Sequence, residues 1–216
     1  MESIVSPLDY FRLLVQEDRS IPLFEAAASI ATDAEPGLDL EQVQTTFDQL
    51  SARLASQARS ASTENARLGC LLRFFFDAEG ITGNVAEYYS PANSYLHQVL
   101  ETRRGIPITL AVLLVELGRH IGLEAEGVSF PGHFLVRVKL GDGIVVVDPF
   151  TGESLSREEL ERRASPYGVP LAQVLRPASR REILVRMLRN LESIHAESGD
   201  AALLARVRDR LEVLGA

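Results

Sequence analysis

The stretch that decides the fold reads Arg103-Arg104-Gly105-Ile106-Pro107-Ile108-Thr109-Leu110-Ala111-Val112-Leu113-Leu114-Val115-Glu116-Leu117-Gly118. From Pro107 to Ile121, apolar residues fall on nearly every side of a helix, and a helix that is apolar all round is buried. Proline suits the first turn, because the N–H that it lacks has no intrahelical partner there. We therefore predict a buried central helix that begins at or beside Pro107.

The start of this helix has no Cys or Ser, and Thr109 is the only hydroxyl in its first turn. The free N–H groups and the positive dipole end of a helix make its start a common place for a nucleophile or an anion. The absence of a thiol at this point therefore limits the chemistry that the chain can perform.

Composition narrows the class of protein. A chain of 216 residues can bury one core, and its formal charge of −8 argues against a nucleic-acid groove or an anionic membrane as its main partner. The single Cys70 cannot form an internal disulfide. Residues 1–4 do not resemble a signal peptide, and the central helix is too short to cross a bilayer. We expect a cytoplasmic protein that does not bind membranes.

Helical and strand patterns follow each other along the chain. Helical spacing is found over residues 7–16, 21–31, 39–54, 64–78 and 94–102, with Asn93 as the expected N-cap of the last segment. Alternating β-rich runs over 127–130, 133–139 and 143–147 then predict an antiparallel meander. Helices that precede a block of strands indicate an α+β fold.

We divide the chain into three parts. Residues 1–80 are expected to form an N-terminal helical layer, 81–155 the core, and 156–216 the C-terminal helices. Ser156 with Glu159 matches a capping box. Gly199 and Asp200 indicate a helix stop and a new N-cap, so residues 181–216 should form a helical hairpin.

His133 and Asp148 are the strongest candidates for chemistry. If residues 139–142 form the hairpin loop, Val138 pairs with Gly143, and His133 then lies opposite Asp148. A carboxylate beside an imidazole fixes its tautomer and stabilises its cation, as a general base requires. A one-residue slip in register would turn the carboxylate to the other face of the sheet.

The remaining candidates favour structural roles. Cys70 lies in an apolar helical run and reads as a core residue, while His97, His120 and His195 lie on helices where capping or solvation explains them. Neither a metal-ligand spacing nor a glycine-rich phosphate loop occurs, so we expect no cofactor and no metal.

Several segments of the chain together match the pattern of a known family. Segments 104–110, 122–123, 130–137 and 147–150 resemble the transglutaminase-like superfamily, and more narrowly its bacterial SirB branch, which also carries Asn93-Ser94-Tyr95-Leu96. The resemblance is strong over residues 83–150. Residues 181–216 resemble the tetratricopeptide-like helix pair that usually closes these proteins.

The resemblance implies a papain-like core with a Cys at the start of the central helix, a His on a following strand and an Asp on the next. His133 and Asp148 match the last two positions, but Pro107 stands where the nucleophile should be. This departure puts transglutaminase, peptidase and amidase activity in doubt. Thr109, Ser94, Tyr95 and Cys70 are the substitutes that tertiary placement could bring to the pocket.

Three functions follow from this resemblance. The first is a non-catalytic binding or regulatory protein that keeps the cleft and the His133–Asp148 pair and has a protein or peptide partner. The second is a hydrolase or acyltransferase with a relocated nucleophile, in which His133 acts as base and Asp148 orients it. The third is an adaptor that acts through the C-terminal helix pair, which cannot bury its apolar face alone.

Overall fold

The computed structural model describes residues 6–141 and 143–216 as helices packed around a small antiparallel sheet. Residues 1–5, which include the N-terminal segment considered for a signal peptide, and Asp142, which the prediction places in the hairpin loop, lie outside the described residues. The helices are α1 Pro7–Leu14, α2 Leu23–Ser29, α3 Leu40–Ala58, α4 Glu64–Leu72, α5 Leu96–Thr102, α6 Pro107–His120, α7 Arg157–Ala164, α8 Leu171–Val174, α9 Arg180–Ser198 and α10 Ala201–Val213. The strands are β1 Thr82–Gly83, β2 Arg104–Gly105, β3 Glu124–Val128, β4 Leu135–Leu140, β5 Gly143–Val147 and β6 Ser154–Leu155.

Helix α6 is the central helix of the prediction. It starts at Pro107, and only Glu116, Arg119 and His120 along it are not buried. Its C-terminal basic residues complement the negative end of the helix dipole. The predicted buried spine and its proline start are confirmed.

The antiparallel sheet separates two apolar clusters. Strands β3 to β6 are neighbours in chain order, and β1 and β2 form a separate parallel pair. Phe134, Val136 and Val138 face the main core that contains α6, whereas Leu135 and Val146 face a smaller cluster beneath α7 and α8. This alternation is the predicted one, and the antiparallel sheet flanked by helices is the predicted α+β class.

The predicted hairpin register is wrong by two residues. Leu140 pairs with Gly143, and Val136 pairs with Val147, so Asp148 lies beyond the last pair and opposite Leu135 in register. Strand β4 therefore runs two residues further toward the loop than the predicted pairing allowed, whereas β5 covers the predicted residues 143–147. A shift of two keeps every side chain on its predicted face, since strand side chains alternate with a period of two.

Two other strand boundaries differ from the prediction. Strand β3 covers Glu124–Val128 and not 127–130, because Glu124 and Glu126 pair with Lys139 and Arg137 across the sheet, and the chain then turns. Strand β4 begins at Leu135, because Pro131 and Gly132 form a turn that extends to His133.

The predicted N-cap at Asn93 is also wrong. Helix α5 starts after Tyr95, and Asn93 lies in a short 3-10 turn, Pro91–Ser94. At the other predicted caps, the hydroxyl of Ser156 accepts from the Glu159 backbone, while the Glu159 carboxylate pairs with Arg162 and Arg163. Gly199 ends α9 in the left-handed conformation, and Asp200 caps α10, as predicted.

The main apolar cluster draws on all parts of the chain. It contains Phe11 of α1, Leu113 of α6 and Leu211 of α10. The three-part division by residue number stays a prediction, although all three parts contribute to one core. Within the described residues, no helix is long and apolar enough to span a membrane.

Candidate functional site

The side chains of His133 and Asp148 are in contact. Nε2 of His133 lies 2.9 Å from Oδ1 of Asp148. The histidine side chain is 26% exposed and the aspartate only 4%. The pair therefore has a buried carboxylate behind an imidazole that reaches solvent.

The turn before β4 sets the position of His133. Gly132 has a φ of 70°, a backbone conformation that residues other than glycine rarely adopt. A Cβ at this position would also lie 3.1 Å from the Tyr167 hydroxyl. The backbone N–H of His133 donates to the Phe130 carbonyl at 3.0 Å. His133 lies in the turn two register positions from Asp148, and its Nε2 reaches Oδ1 of Asp148 as a diagonal neighbour.

Asp148 is held by three groups. It accepts from Nε2 of His133 and from the backbone N–H of Phe150, which is 2.9 Å away, and Nη1 of Arg163 lies 3.5 Å from its other oxygen. Burial by itself raises the pKa of Asp148. The hydrogen bond and charge of His133, the Phe150 N–H and Arg163 together outweigh it, so the pKa lies below its ordinary value.

The hydrogen bond to Asp148 also fixes the tautomer of His133. An ionised carboxylate only accepts, so Nε2 of the imidazole carries the proton. In the neutral ring Nδ1 is then an acceptor, and in the cation it is a donor. Nδ1 has no hydrogen bond to any of the described residues.

His133 shares a small pocket with the start of helix α6. The pocket has a volume of about 30 Å³, enough for a small polar group. Its lining residues are Tyr88, Pro107, Ile108, Gly132, His133, Phe134, Arg186 and Asn190. Pro107 and His133 therefore line one space, although 26 positions separate them along the chain.

A loop held by Asn93 brings Tyr88 to this pocket. Asn93 is 2% exposed, and its amide donates to the carbonyls of Glu87, at 2.6 Å, and Tyr88, at 3.1 Å. It also accepts from Asn84, and the Tyr88 ring packs edge-on against Phe150. The buried amide that fails as a helix cap thus fixes the wall of the site.

Glycine is required behind that loop. A Cβ on Gly83 would lie 2.4 Å from the ring of Phe150, and the Gly83 N–H donates to the Phe150 carbonyl at 3.0 Å. The close approach joins the residue after the Asp148-Pro149 turn to the start of the Tyr88 loop. The same contact therefore positions both the segment that carries Asp148 and the Tyr88 loop.

A second pocket of about 130 Å³ continues the first along helix α9. Tyr88 and Asn190 line both pockets, and the second adds Tyr89, Ile106, Ser193, Ile194 and Glu197. We call the two pockets together the cleft. One side of α9, with Arg186, Asn190, Ser193 and Glu197 at helical spacing, forms its far wall.

Arg186 differs from most cations near the site. It makes neither a hydrogen bond nor an ion pair with any residue in 6–141 or 143–216. Burial raises the pKa of Tyr88, the neighbouring Tyr89 adds to the rise, and the charge of Arg186 opposes it, which places the guanidinium near the Tyr88 hydroxyl. The open end of the site therefore carries a positive charge without a protein counter-ion.

The proposed substitute nucleophiles do not line the His133 pocket. Thr109 and Ser94 are buried, and neither hydroxyl has a hydrogen-bond partner among the described residues. The Tyr95 hydroxyl lies 3.4 Å from Nε2 of His195, and burial, with nearby carboxylates, raises its pKa to about 12. Cys70 packs against the main core on α4.

The other histidines have separate surroundings. His97 contacts Glu35 at 3.0 Å, His120 is exposed at the end of α6, and His195 is 4% exposed on α9. Burial lowers the pKa of His195, and Asp200 opposes that effect. Within the described residues, no group of three or more His, Cys, Asp or Glu side chains could hold a metal ion.

Sequence reasoning missed four residues of the site, namely Tyr88, Arg163, Arg186 and Asn190. Arg163 reaches Asp148 from α7, and Arg186 and Asn190 face the cleft from α9. Arg186 and Asn190 belong to a polar strip on α9 opposite its leucines, which the sequence shows. The sequence does not show which surface of the protein that strip faces.

Comparisons with known proteins find relatives over most of this chain. The chain is 42% identical to a UPF0162 protein of Xylella fastidiosa (strain Temecula1) over 98% of its own length and 78% of the relative. It is 33% identical to a UPF0162 protein of Pseudomonas aeruginosa, covering 89% of this chain and 71% of that one. The mouse F-box only protein 21 is 31% identical over 64% of this chain and 23% of its own length.

No solved structure matches the chain. The sequence profile described as the transglutaminase-like superfamily matches residues 41–189, which include the central helix, the sheet and both residues of the His133–Asp148 pair. With its UPF0162 relatives, this chain belongs to the transglutaminase-like superfamily.

Proposed function

We propose that this protein is a non-catalytic, transglutaminase-like binding protein of the SirB-type branch, whose cleft holds an extended segment of a protein or peptide partner. One observation carries the proposal: Pro107 and His133 line the same pocket. A proline ring has no atom that can attack a carbonyl, so the imidazole and carboxylate of this papain-like core have no thiol to activate.

Among the residues that line the pocket, Tyr88 supplies the one side-chain hydroxyl. A nucleophile is activated by a lowered pKa or by an adjacent base. The pKa of Tyr88 is raised by its burial, so its phenol stays protonated and donates hydrogen bonds. These surroundings favour recognition over covalent catalysis.

Exposed apolar side chains support a binding surface beside the cleft. Val85 is 81% exposed and Tyr89 77%, and both lie on the Tyr88 loop. Large apolar residues at the surface are normal singly, but a group beside a groove is typical of an interaction site. The loop and the cleft together provide an aromatic rim and a polar floor.

The alternative functions have less support. A hydrolase with a relocated nucleophile would need a thiol or an activated hydroxyl beside His133, which the described lining residues do not supply. For an adaptor that acts through the tetratricopeptide-like pair we expect exposed apolar residues on α9 and α10. The large exposed apolar residues of the described chain, Leu13, Val85, Tyr88, Tyr89, Ile144 and Tyr167, all lie elsewhere.

Two experiments test the proposal. The first incubates the protein with p-nitrophenyl acetate and with amide probes, and compares wild type with His133→Ala and with the exposed control His120→Ala. We expect all three to be equal and at background. Turnover that disappears only in His133→Ala would identify an enzyme and contradict the proposal.

The second experiment measures binding by amide hydrogen exchange. The protein is mixed with a pool of random pentapeptides, and protection is followed along the chain. We expect slower exchange in the Tyr88 loop and around His133, because a bound segment covers both sides of the cleft. Unchanged exchange throughout the cleft would remove the basis for a peptide-binding function. We further propose that the protein works in the cytoplasm.

A further inference from the structure

The charges along the cleft indicate what kind of peptide it takes. Arg186 has no counter-ion within the described chain, although acidic residues outnumber basic ones by 30 to 22. The carboxylate of the site, Asp148, is already bound by His133, Phe150 and Arg163. A partly buried guanidinium with its donors free is suited to an external carboxylate.

Polar groups surround the same point. Asn190 lies one helical turn from Arg186 on α9 and lines the same pocket, which gives an amide donor beside the guanidinium. The protonated phenol of Tyr88 gives a third donor, and His133 gives a fourth when its ring is protonated. The volume of about 30 Å³ is enough for a small polar group such as a carboxylate.

The second pocket indicates which residue of a bound peptide precedes the carboxylate. It is lined by Tyr88, Tyr89, Ile106 and Ile194, which suit an apolar side chain, and it ends at Glu197. Eleven residues along a helix correspond to about 16 Å between Arg186 and Glu197. An extended peptide covers that distance in about five residues.

From these contacts we propose that the Arg186 end of the cleft is a carboxylate-binding subsite for an extended peptide, with an apolar residue in the Tyr89–Ile194 pocket and the preceding residues directed toward Glu197. The carboxylate comes from a chain terminus or from an Asp or Glu side chain. This inference rests on the peptide-binding function proposed above and names the chemistry of its ligand.

Four acetylated pentapeptides test the subsite. The first is Lys-Ala-Ala-Leu-Phe with a free carboxylate, and the second is the same peptide with a C-terminal amide. The third, Lys-Ala-Ala-Leu-Glu amide, offers only a side-chain carboxylate, and the fourth, Glu-Ala-Ala-Leu-Phe with a free carboxylate, reverses the charge near Glu197. Dissociation constants are measured by NMR titration of the full chain, with the Asn190 side-chain amide as the local probe.

We expect the free acid to bind about tenfold more tightly than its amide, because charge-assisted hydrogen bonds are stronger than neutral ones. In Arg186→Gln that ratio should fall to about one. The matched control is Arg206→Gln, since Arg206 is an exposed arginine of α10 without a partner in the described chain, and it should keep the full ratio. The third peptide shows whether a side-chain carboxylate serves as well as a terminus.

Equal dissociation constants for the first three peptides would overturn the inference. A preference for the free acid over its amide that persists in Arg186→Gln would overturn it as well. If those peptides bind the cleft without a carboxylate preference, the subsite fails while the peptide-binding function stands. If none of them, and no member of the random pool, protects the cleft, both proposals fail. Weaker binding of the fourth peptide, restored in Glu197→Gln, would support the direction of the chain.

Discussion

Two charged clusters in this protein contain the same kinds of side chain and have opposite surroundings. Arg210 is fully buried, and its guanidinium donates to Asp33, to the Ser29 carbonyl and to the Thr32 hydroxyl, and lies over the ring of Phe11. The cluster around His133 instead opens into the cleft.

The difference in solvent access assigns a structural role to the Arg210 cluster and a binding role to the His133 cluster. In the sealed cluster Nε and Nη2 of Arg210 donate to acceptors of the N-terminal helices and join α10 to them, while its buried Nη1 has no hydrogen-bond partner among the described residues. In the open cluster Asp148 is satisfied, but Nδ1 of His133 and the whole of Arg186 have no partner among the described residues. The unpaired nitrogens of the open cluster reach solvent, so a ligand in the cleft can replace water at them, whereas Arg210 is closed to any outside group.

The largest effect is expected at the sealed cluster. Asp33→Ala leaves the Arg210 cation buried without its carboxylate, and we expect the free energy of unfolding to fall by about 3–5 kcal/mol. Urea unfolding measures it. The control Asp18→Ala removes an exposed partner of Arg181 and should cost no more than about 1 kcal/mol. Equal losses in the two variants would contradict the distinction.

A smaller loss is expected at the open cluster. Asp148→Ala removes the acceptor of His133 and of the Phe150 N–H, and we expect about 1–3 kcal/mol by urea unfolding, because part of the site regains water as a partner. Glu153→Ala, at an exposed neighbouring position, is the control and should change little. A loss as large as that in Asp33→Ala would mean that the open site is as structural as the sealed one.

Acid should weaken the open cluster through Asp148. The pKa of Asp148 lies below its ordinary value of 3.8 in the folded protein, so the unfolded chain takes up this proton first as the pH falls. The contribution is fully present above about pH 4 and is lost at lower pH. Urea unfolding between pH 3 and 6 should show a flatter acid limb for Asp148→Asn than for wild type, and parallel curves would refute the assignment.

The smallest effect on stability is expected at Arg186. Arg186→Gln should change the free energy of unfolding by less than about 0.5 kcal/mol, because no described residue loses a hydrogen bond. The same substitution at Arg210 should be strongly destabilising. Thermal and urea unfolding of the two variants give the comparison, and similar losses would show that Arg186 has a partner inside the fold.

The sequence predicted the parts of the site that are close together in the chain. His133 precedes β4 and Asp148 directly follows β5, so the alternation of these two paired strands predicts one face for both, and a register error of two residues does not change that face. The buried helix and its start at Pro107 were visible from the run of apolar residues between 107 and 121. The antiparallel sheet followed from the change in period after residue 121.

Residues from distant segments could not be predicted in the same way. Arg186 and Asn190 lie more than fifty positions beyond His133, and the leucines of α9 show which side is buried without showing what its polar side faces. The pairing of Arg210 with Asp33 joins residues 177 positions apart. Asn93 was assigned to a helix cap because its local sequence suits one, whereas tertiary contacts use its amide for the Tyr88 loop.

The central claim is that Pro107 occupies the nucleophile position opposite His133. The direct test is to measure the alkylation rate of Pro107→Cys by iodoacetamide at pH 7, in a Cys70→Ser background, with and without His133→Ala. If the claim holds, His133 promotes the thiolate, and alkylation should be about tenfold faster with His133 than without it. An introduced thiol that reacts at the same slow rate in both proteins would contradict the claim.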